Sequence, residues 1–344
     1  MILEQSPSRL IGENDPDAAL FSAAEAVRRE VEDTLASGTI SSARLERLEE
    51  TLASHVRLYT TTAPTKALSG LLVDFMDVRR IAAQRQPAVI QARLSEVIAL
   101  LGTLAADALM KLGRINASKA WYGTSRIAAD DSRNAELRAR VRAQEAMLPY
   151  YYGHPSEAVR LAREAQEILG GLPRAAGALA EAAEARALAR LKSAVDARAA
   201  ILRAECIVAE TSDPDTDDAF RFGDRRLLFY SSTTFSNLGD IAQATDVQDQ
   251  ALALYGDKAG LIDPALIRFD QAQILLSSGD MASAGELVEG AVQSVPAGQR
   301  TLIFGARLGQ FLESVPIGHR VHRMLTDLRQ DVVEGIERAK DAGG

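Results

Sequence analysis

The loop TSDPDTDDAFRFGD places Asp213, Asp215 and Asp217 at positions 1, 3 and 5 of a segment whose position 12 is Asp224. Carboxylates at that spacing can surround a calcium ion with oxygen. The sharp turn of such a loop requires glycine at position 6, where this chain has Asp218, and its last ligand is a bidentate glutamate rather than an aspartate. Pro214 stiffens the segment further. The stretch therefore reads as a solvated loop that brings negative charge to the N-terminus of the following helix. His319 and His322 lie near one helix face and could hold a metal with a third ligand, but no partner is near in sequence and neither HExxH nor paired CxxC occurs. Cys206 reads as a small core residue on a helix, and His55 and His154 have no catalytic neighbours in sequence. P-loop, GxGxxG and GxSxG motifs are missing, and charged pairs such as Glu49-Glu50 read as solvated helix faces. The motifs nominate no catalytic residue, no metal and no cofactor, and the chain reads as a non-enzyme.

A chain of 344 residues is long for one compact core, so its length points to two domains or to a repeat array. Aromatic residues make up only 5% and alanine dominates the apolar set, which suits close helix-on-helix packing. No sustained alternation of β-branched and aromatic residues marks a strand. The net charge of −8 argues against nucleic-acid binding by bulk electrostatics, so no direct nucleic-acid partner is expected. A single cysteine excludes an intramolecular disulfide and fits a reducing cytoplasm. The segment MILEQSPSRLIGENDPD lacks the basic and apolar regions of a signal peptide, and no apolar run approaches the roughly 18–20 residues that span a bilayer. A cytoplasmic protein without a membrane partner is the expectation.

Residues 1–16 read as a flexible arm, followed by an N-terminal helical region over 17–94. A helix is predicted from Asp17 to Ala36, another from the Ser41 cap to about Tyr59, and further ones over 65–84 and 88–112. From 95 to 298 the pattern repeats. Gly153 is followed by Ala158 and Ala165, Gly239 by Ala244 and Ala251, and Gly279 by Ala284 and Ala291, always at +5 and +12. Lys192 with Ala197 and Ala204, and Gly113 with Ser118 and Ser125, are degenerate copies, so the turns are 40, 39, 47 and 40 residues apart. Glycine at a helix end can take a positive φ and reverse the chain. The two small residues face one side of the second helix and let the first approach closely. Residues 299–344 supply capping helices, the last from about Gly318 with Met324, Leu325, Leu328, Val332 and Ile336 as its apolar stripe.

These offsets resemble those of tetratricopeptide repeats (TPR), with Pro296 at +17 completing the pattern in the last unit. The period is nearer 40 than 34 residues and the family's Trp and Tyr anchors are mostly missing. Residues 121–166 are similar to the C-terminal sensor region of helix-turn-helix (XRE-type) regulators of high-GC Gram-positive bacteria, with the DNA-binding half expected to be absent. The resemblance implies an all-α, TPR-like solenoid: a right-handed superhelix of antiparallel helix pairs. It also implies that the first helix of each pair lines a concave groove. Carried onto this sequence, that rule selects Thr103 and Asp107, then Arg140, Met147 and Tyr150, then Arg186. It goes on to select Arg226, Phe229, Thr233 and Ser236, and finally Phe269 and Gln273.

Two readings of the three arginines are open. They could face the groove and hold the carboxylates of a protein or peptide partner or of a small acidic ligand, since guanidinium pairs bidentately with carboxylate. They could equally pair within the chain, with acidic residues such as Glu145 or Glu184. The expected function is a regulatory protein-, peptide- or small-signal-binding module, with a homodimer possible. The alternatives are a regulator that contacts DNA itself and an accessory protein or enzyme of a biosynthetic pathway.

Overall fold

The computed structural model describes residues 26–29, 40–211, 218–256, 262–317 and 320–341. The arm over 1–16, most of the helix expected over 17–36, Asp213, Asp215, Asp217, His319 and the Ile336 side chain lie outside the described residues. Among the described residues the chain holds fifteen α-helices and no strand. They are α1 (Ser42–Leu58), α2 (Pro64–Ala82), α3 (Ala88–Lys111), α4 (Ile115–Ser132), α5 (Ala135–Glu145), α6 (Met147–Tyr152), α7 (Pro155–Leu169) and α8 (Ala175–Arg190). There follow α9 (Ala194–Thr211), α10 (Asp224–Leu238), α11 (Ile241–Tyr255), α12 (Ile262–Ser277), α13 (Met281–Ser294), α14 (Leu302–Glu313) and α15 (Arg320–Asp341).

The helices pack in a helical-repeat arrangement. Successive first helices α3, α5, α8, α10, α12 and α14 each lie on the next, and second helices α4, α7, α9, α11, α13 and α15 pack between or behind them. Local chemistry explains the starts: the Ser41 hydroxyl accepts from the Arg44 N–H, and Asp240 and Asp280 cap α11 and α13 by accepting from Gln243 and Ser283 N–H groups. The turns at Gly113, Lys192, Gly239 and Gly279 all have positive φ, from 62° to 89°. Gly153 departs from that expectation, with φ −143° and ψ −145°. There glycine is needed for space, because a Cβ would stand 3.1 Å from the Pro149 backbone. Pro149 also separates α5 from α6, since its ring cannot coexist with a helical carbonyl at Glu145.

All ten small residues at +5 and +12 are fully buried: Ser118, Ser125, Ala158, Ala165, Ala197, Ala204, Ala244, Ala251, Ala284 and Ala291 each have 0% exposure. The approach they permit is close. A Cβ added at Gly102 of α3 would meet Ser125 Oγ of α4 at 2.5 Å. Cys206 departs from the core placement expected for it. It is exposed, because it lies two residues beyond Ala204 and so nearly opposite the buried face of α9. α3 also corrects an expectation: it is long and apolar enough to cross a membrane, yet half of its apolar window is buried inside the fold, where α1, α2, α4 and α5 pack on it.

The C-terminal part of the chain reaches the N-terminal part. Gln299 Nε2 donates to the Thr61 carbonyl at 3.1 Å, and a Cβ at Gly113 would meet Leu302 Cδ2 at 2.7 Å. α15 presents Leu325 and Val332 at 0% exposure to the core, with Met324 and Leu328 beside them.

Neighbouring residues of α13 should respond oppositely to enlargement. Ala291→Leu is expected to cost about 1–3 kcal/mol through overpacking. Gly290→Ala, where an added Cβ meets nothing within 4 Å, should stabilise by roughly 0.5–1 kcal/mol. Paired thermal or urea unfolding curves check both signs.

Candidate functional site: the inner groove

Two adjoining cavities lie along the row of first helices. The first, of about 140 Å³, brings Tyr59, Asp107 and Lys111 from the N-terminal half towards Arg226, Tyr255 and Asp263 from α10, α11 and α12. The Tyr59 hydroxyl donates to Asp107 Oδ2 at 2.6 Å, and Lys111 Nζ lies 2.7 Å from the same oxygen. Lys111 also stands 4.5 Å from the Tyr59 ring centroid. A similar set forms opposite: the Tyr255 hydroxyl donates to Asp263 Oδ2 at 2.9 Å, and the Arg225 guanidinium stands 4.7 Å from the Tyr255 centroid.

Residues 218–223 form one wall of this cavity and are held in place from several sides. Arg226 Nη1 donates to the carbonyls of Ala219 and Arg221 at 2.9 and 2.8 Å. Asp218 Oδ1 accepts from the N–H groups of Phe220 and Arg221, both at 2.8 Å, and the Ala219 N–H donates to the Val56 carbonyl at 3.0 Å. Phe220 is buried in the hydrophobic cluster built by α1, α2 and α3. Asp218, read above as the residue that spoils a calcium loop, thus acts as a turn cap. Among the described residues, no group of three His, Cys, Asp or Glu side chains converges as a metal site.

The second cavity, of about 190 Å³, shares Tyr151, Phe229, Leu266 and Ile303 with the first. Arg190 at its rim donates to the Tyr150 carbonyl, with its guanidinium 5.0 Å from the Tyr150 centroid. Arg307 of α14 is hydrogen-bonded to Asp270 of α12. Burial pushes the Asp270 carboxyl above the usual carboxylate range, with the Arg307 charge opposing. Behind Tyr150 and Tyr151 lies Arg186, only 1% exposed. Its guanidinium carbon is 4.0 Å from the Tyr150 centroid and 4.2 Å from that of Tyr230. Nη1 donates to the Tyr151 hydroxyl at 3.2 Å, while Nε is buried without a partner.

Of the residues selected by the offset rule, Thr103, Asp107, Met147, Arg226 and Phe229 line the first cavity, and Tyr150, Phe229 and Thr233 line the second. Phe269 and Gln273 line an adjoining shallow groove, although Phe269 is mostly core and packs on Phe304 with centroids 5.1 Å apart. Arg140 and Arg186 line neither cavity. Arg140 pairs with Glu136 at 2.9 Å and stands 5.5 Å from the Phe220 centroid. The acidic residues considered as internal partners meet other arginines: Glu145 meets Arg126 at 3.2 Å, and Glu184 meets Arg163 at 2.7 Å. His55, without a neighbour in sequence, lies 2.6 Å from Asp74 of α2 through Nε2.

The rule missed Tyr59, Lys111, Arg190, Asp263, Asp270 and Arg307. Tyr59 and Arg307 lie outside the five repeat units and reach the groove because the segment after the repeats packs against the N-terminal helical region. Lys111 and Arg190 lie in the last turn of first helices, two residues before a turn position, where a long side chain can still reach the inner face. A search for cations at that position would have found them.

The fold defines a class, the all-α chains in helical-repeat arrangement. No family model matches the sequence, and no curated protein matches it. Among solved structures the chain is similar to BtubC (BKLC) from P. vanneervenii, with 15% identity, a TM-score of 0.48, and coverage of 67% of this chain and 91% of that chain.

Burial is the main cause that holds Tyr59, Tyr122, Tyr150, Tyr151, Tyr152 and Tyr255 above the ordinary phenol range; Asp107 adds to it at Tyr59, and Asp263 at Tyr255. Because folding raises these values, their contribution to stability is complete below the unfolded phenol value of about 10 and is lost as pH rises towards the native ones. Tyrosinate absorbance should therefore grow together with loss of helical circular dichroism at alkaline pH. Ionisation of most tyrosines in a fully helical protein would contradict this.

Proposed function

We propose that this chain is a non-enzymatic, TPR-like module of solenoid type that binds an acidic ligand in its inner groove and serves a regulatory role. The ligand is a carboxylate-bearing protein or peptide segment or a small acidic signal. The observation that carries the reading is a local reversal of charge. The whole chain has a net charge of −8, yet Lys111, Arg190, Arg225, Arg226 and Arg307 line the two cavities against Asp107, Asp263 and Asp270. A cation-rich concavity with low-dielectric walls concentrates anions even on an acidic protein. Aromatic and aliphatic side chains such as Phe229, Leu266 and Ile303 supply apolar contact beside the charges. The repeat spacing and the buried small residues support the TPR-like description.

Titration calorimetry with a hexaglutamate peptide and with succinate tests the proposal. Saturable binding is expected, weakening as salt rises. If no anionic probe binds saturably, inorganic phosphate included, the reading fails.

A further inference from the structure

The charges around the two cavities are answered differently. In the first, Lys111 meets Asp107 at 2.7 Å and Arg226 is taken up by the carbonyls of Ala219 and Arg221. The second is lined by Arg190, Arg307 and one carboxylate, Asp270, which is bound to Arg307, while Arg186 stands behind its Tyr150 and Tyr151 wall. Arg190 has only a backbone carbonyl as hydrogen-bond acceptor among the described residues. Arg186 has only the Tyr151 hydroxyl and ring faces, with its Nε orphaned. A desolvated guanidinium without a carboxylate is costly, and tyrosine rings offset only part of it, roughly 2 kcal/mol for a desolvated cation–π contact.

With Arg186 behind the wall included, three guanidinium groups stand against one carboxylate, an excess of two positive charges of which one lies on the lining itself. A group that neutralises it carries two negative charges and several acceptor oxygens. A phosphoryl group fits that description, with about −1.5 to −2 charge near neutral pH; a single carboxylate does not. Neutral donors are at hand: Gln310, whose carbonyl oxygen faces Arg307 Nη1 at 3.5 Å, retains its amide nitrogen, and Asn237 Nδ2, which donates to the Tyr150 hydroxyl at 3.4 Å, has a second N–H. Arg190 and Gln310 are exposed, which leaves the cavity open to solvent on that side.

We propose that the second cavity is the seat of a doubly charged phosphoryl oxyanion, from free phosphate or a phosphate monoester. Arg190 and Arg307 hold it, Asn237 and Gln310 complete its contacts, and Arg186 supplies a fixed positive field from behind Tyr150 and Tyr151. This rests on the groove being a binding site and narrows the ligand to one chemistry.

The test is calorimetry on the full chain in phosphate-free buffer, with inorganic phosphate, glycerol 3-phosphate and succinate at matched ionic strength. Saturable binding of a phosphate probe, tighter than that of succinate, is expected. Equal affinity for the two phosphate probes points to free phosphate as the source, and tighter monoester binding points to a phosphorylated compound. Arg190→Gln, at an exposed rim, should weaken the bound probe about tenfold, and Gln310→Ala about fivefold. Lys119→Gln, on the exposed face of α4, should change nothing. Absence of saturable phosphate binding at millimolar concentration overturns the proposal, as does unchanged affinity in Arg190→Gln. If succinate or hexaglutamate binds while phosphate does not, this inference fails and the groove reading stands; if none binds, both fail.

Discussion

The contact between paired helices, made through side chains no larger than serine, sets the rest of the structure. Five second helices present two fully buried small residues each, seven apart, and the first helix of the pair lies directly against them. An alanine contributes little apolar area of its own, but it brings two backbones and their larger neighbours within van der Waals range along a whole helix. This is how a chain with only 5% aromatic residues fills a continuous interior. It also explains why the few aromatics are available elsewhere: Tyr150, Tyr151, Tyr230, Phe229 and Tyr255 gather near the inner face, not between paired helices.

That distribution gives the groove its chemistry. Rings and cations alternate there, with Arg186 between Tyr150 and Tyr230 and Lys111 over Tyr59. The arrangement holds charge in a poorly solvated place with few carboxylates, so the field is not cancelled locally. Outside the groove the opposite principle applies. Arg160 meets both Glu157 and Glu164, and Arg138 meets Asp130, so the outer helix faces are networks of opposed charges. Exposed pairs of that kind add little stability individually, and they leave the protein acidic overall while the inner face is not.

The segment over 218–223 links the repeat array to the N-terminal helices. Its backbone is bound by Arg226 and by Val56, and its Phe220 enters the N-terminal cluster, so one loop ties the middle of the repeat array to α1. A residue placed in the groove by the offset rule can therefore serve the fold as much as a ligand. Arg226 does so by donating to the loop's carbonyls, and Arg140 by standing against the Phe220 ring.

Much of the helical architecture was legible because its determinants are local. Ser41, Asp240 and Asp280 cap the helices they precede, and the helices over 42–58, 64–82 and 88–111 fall within two residues of where pattern and proline spacing put them. The small-residue offsets identified the buried face of each second helix without error, because a period of seven is a property of the helix itself. The site was only partly legible. Asp107, Arg226, Phe229 and Thr233 followed from counting back from a turn, but Tyr59, Asp270 and Arg307 did not. Their places depend on how helices distant in sequence pack on one another, a sum of small rotations over many helix pairs that no local pattern records. What the sequence determined by itself was which faces of its helices are buried; which charges then face one another across the groove was decided by the tertiary structure, because electrostatic pairing depends on distance in space and not along the chain.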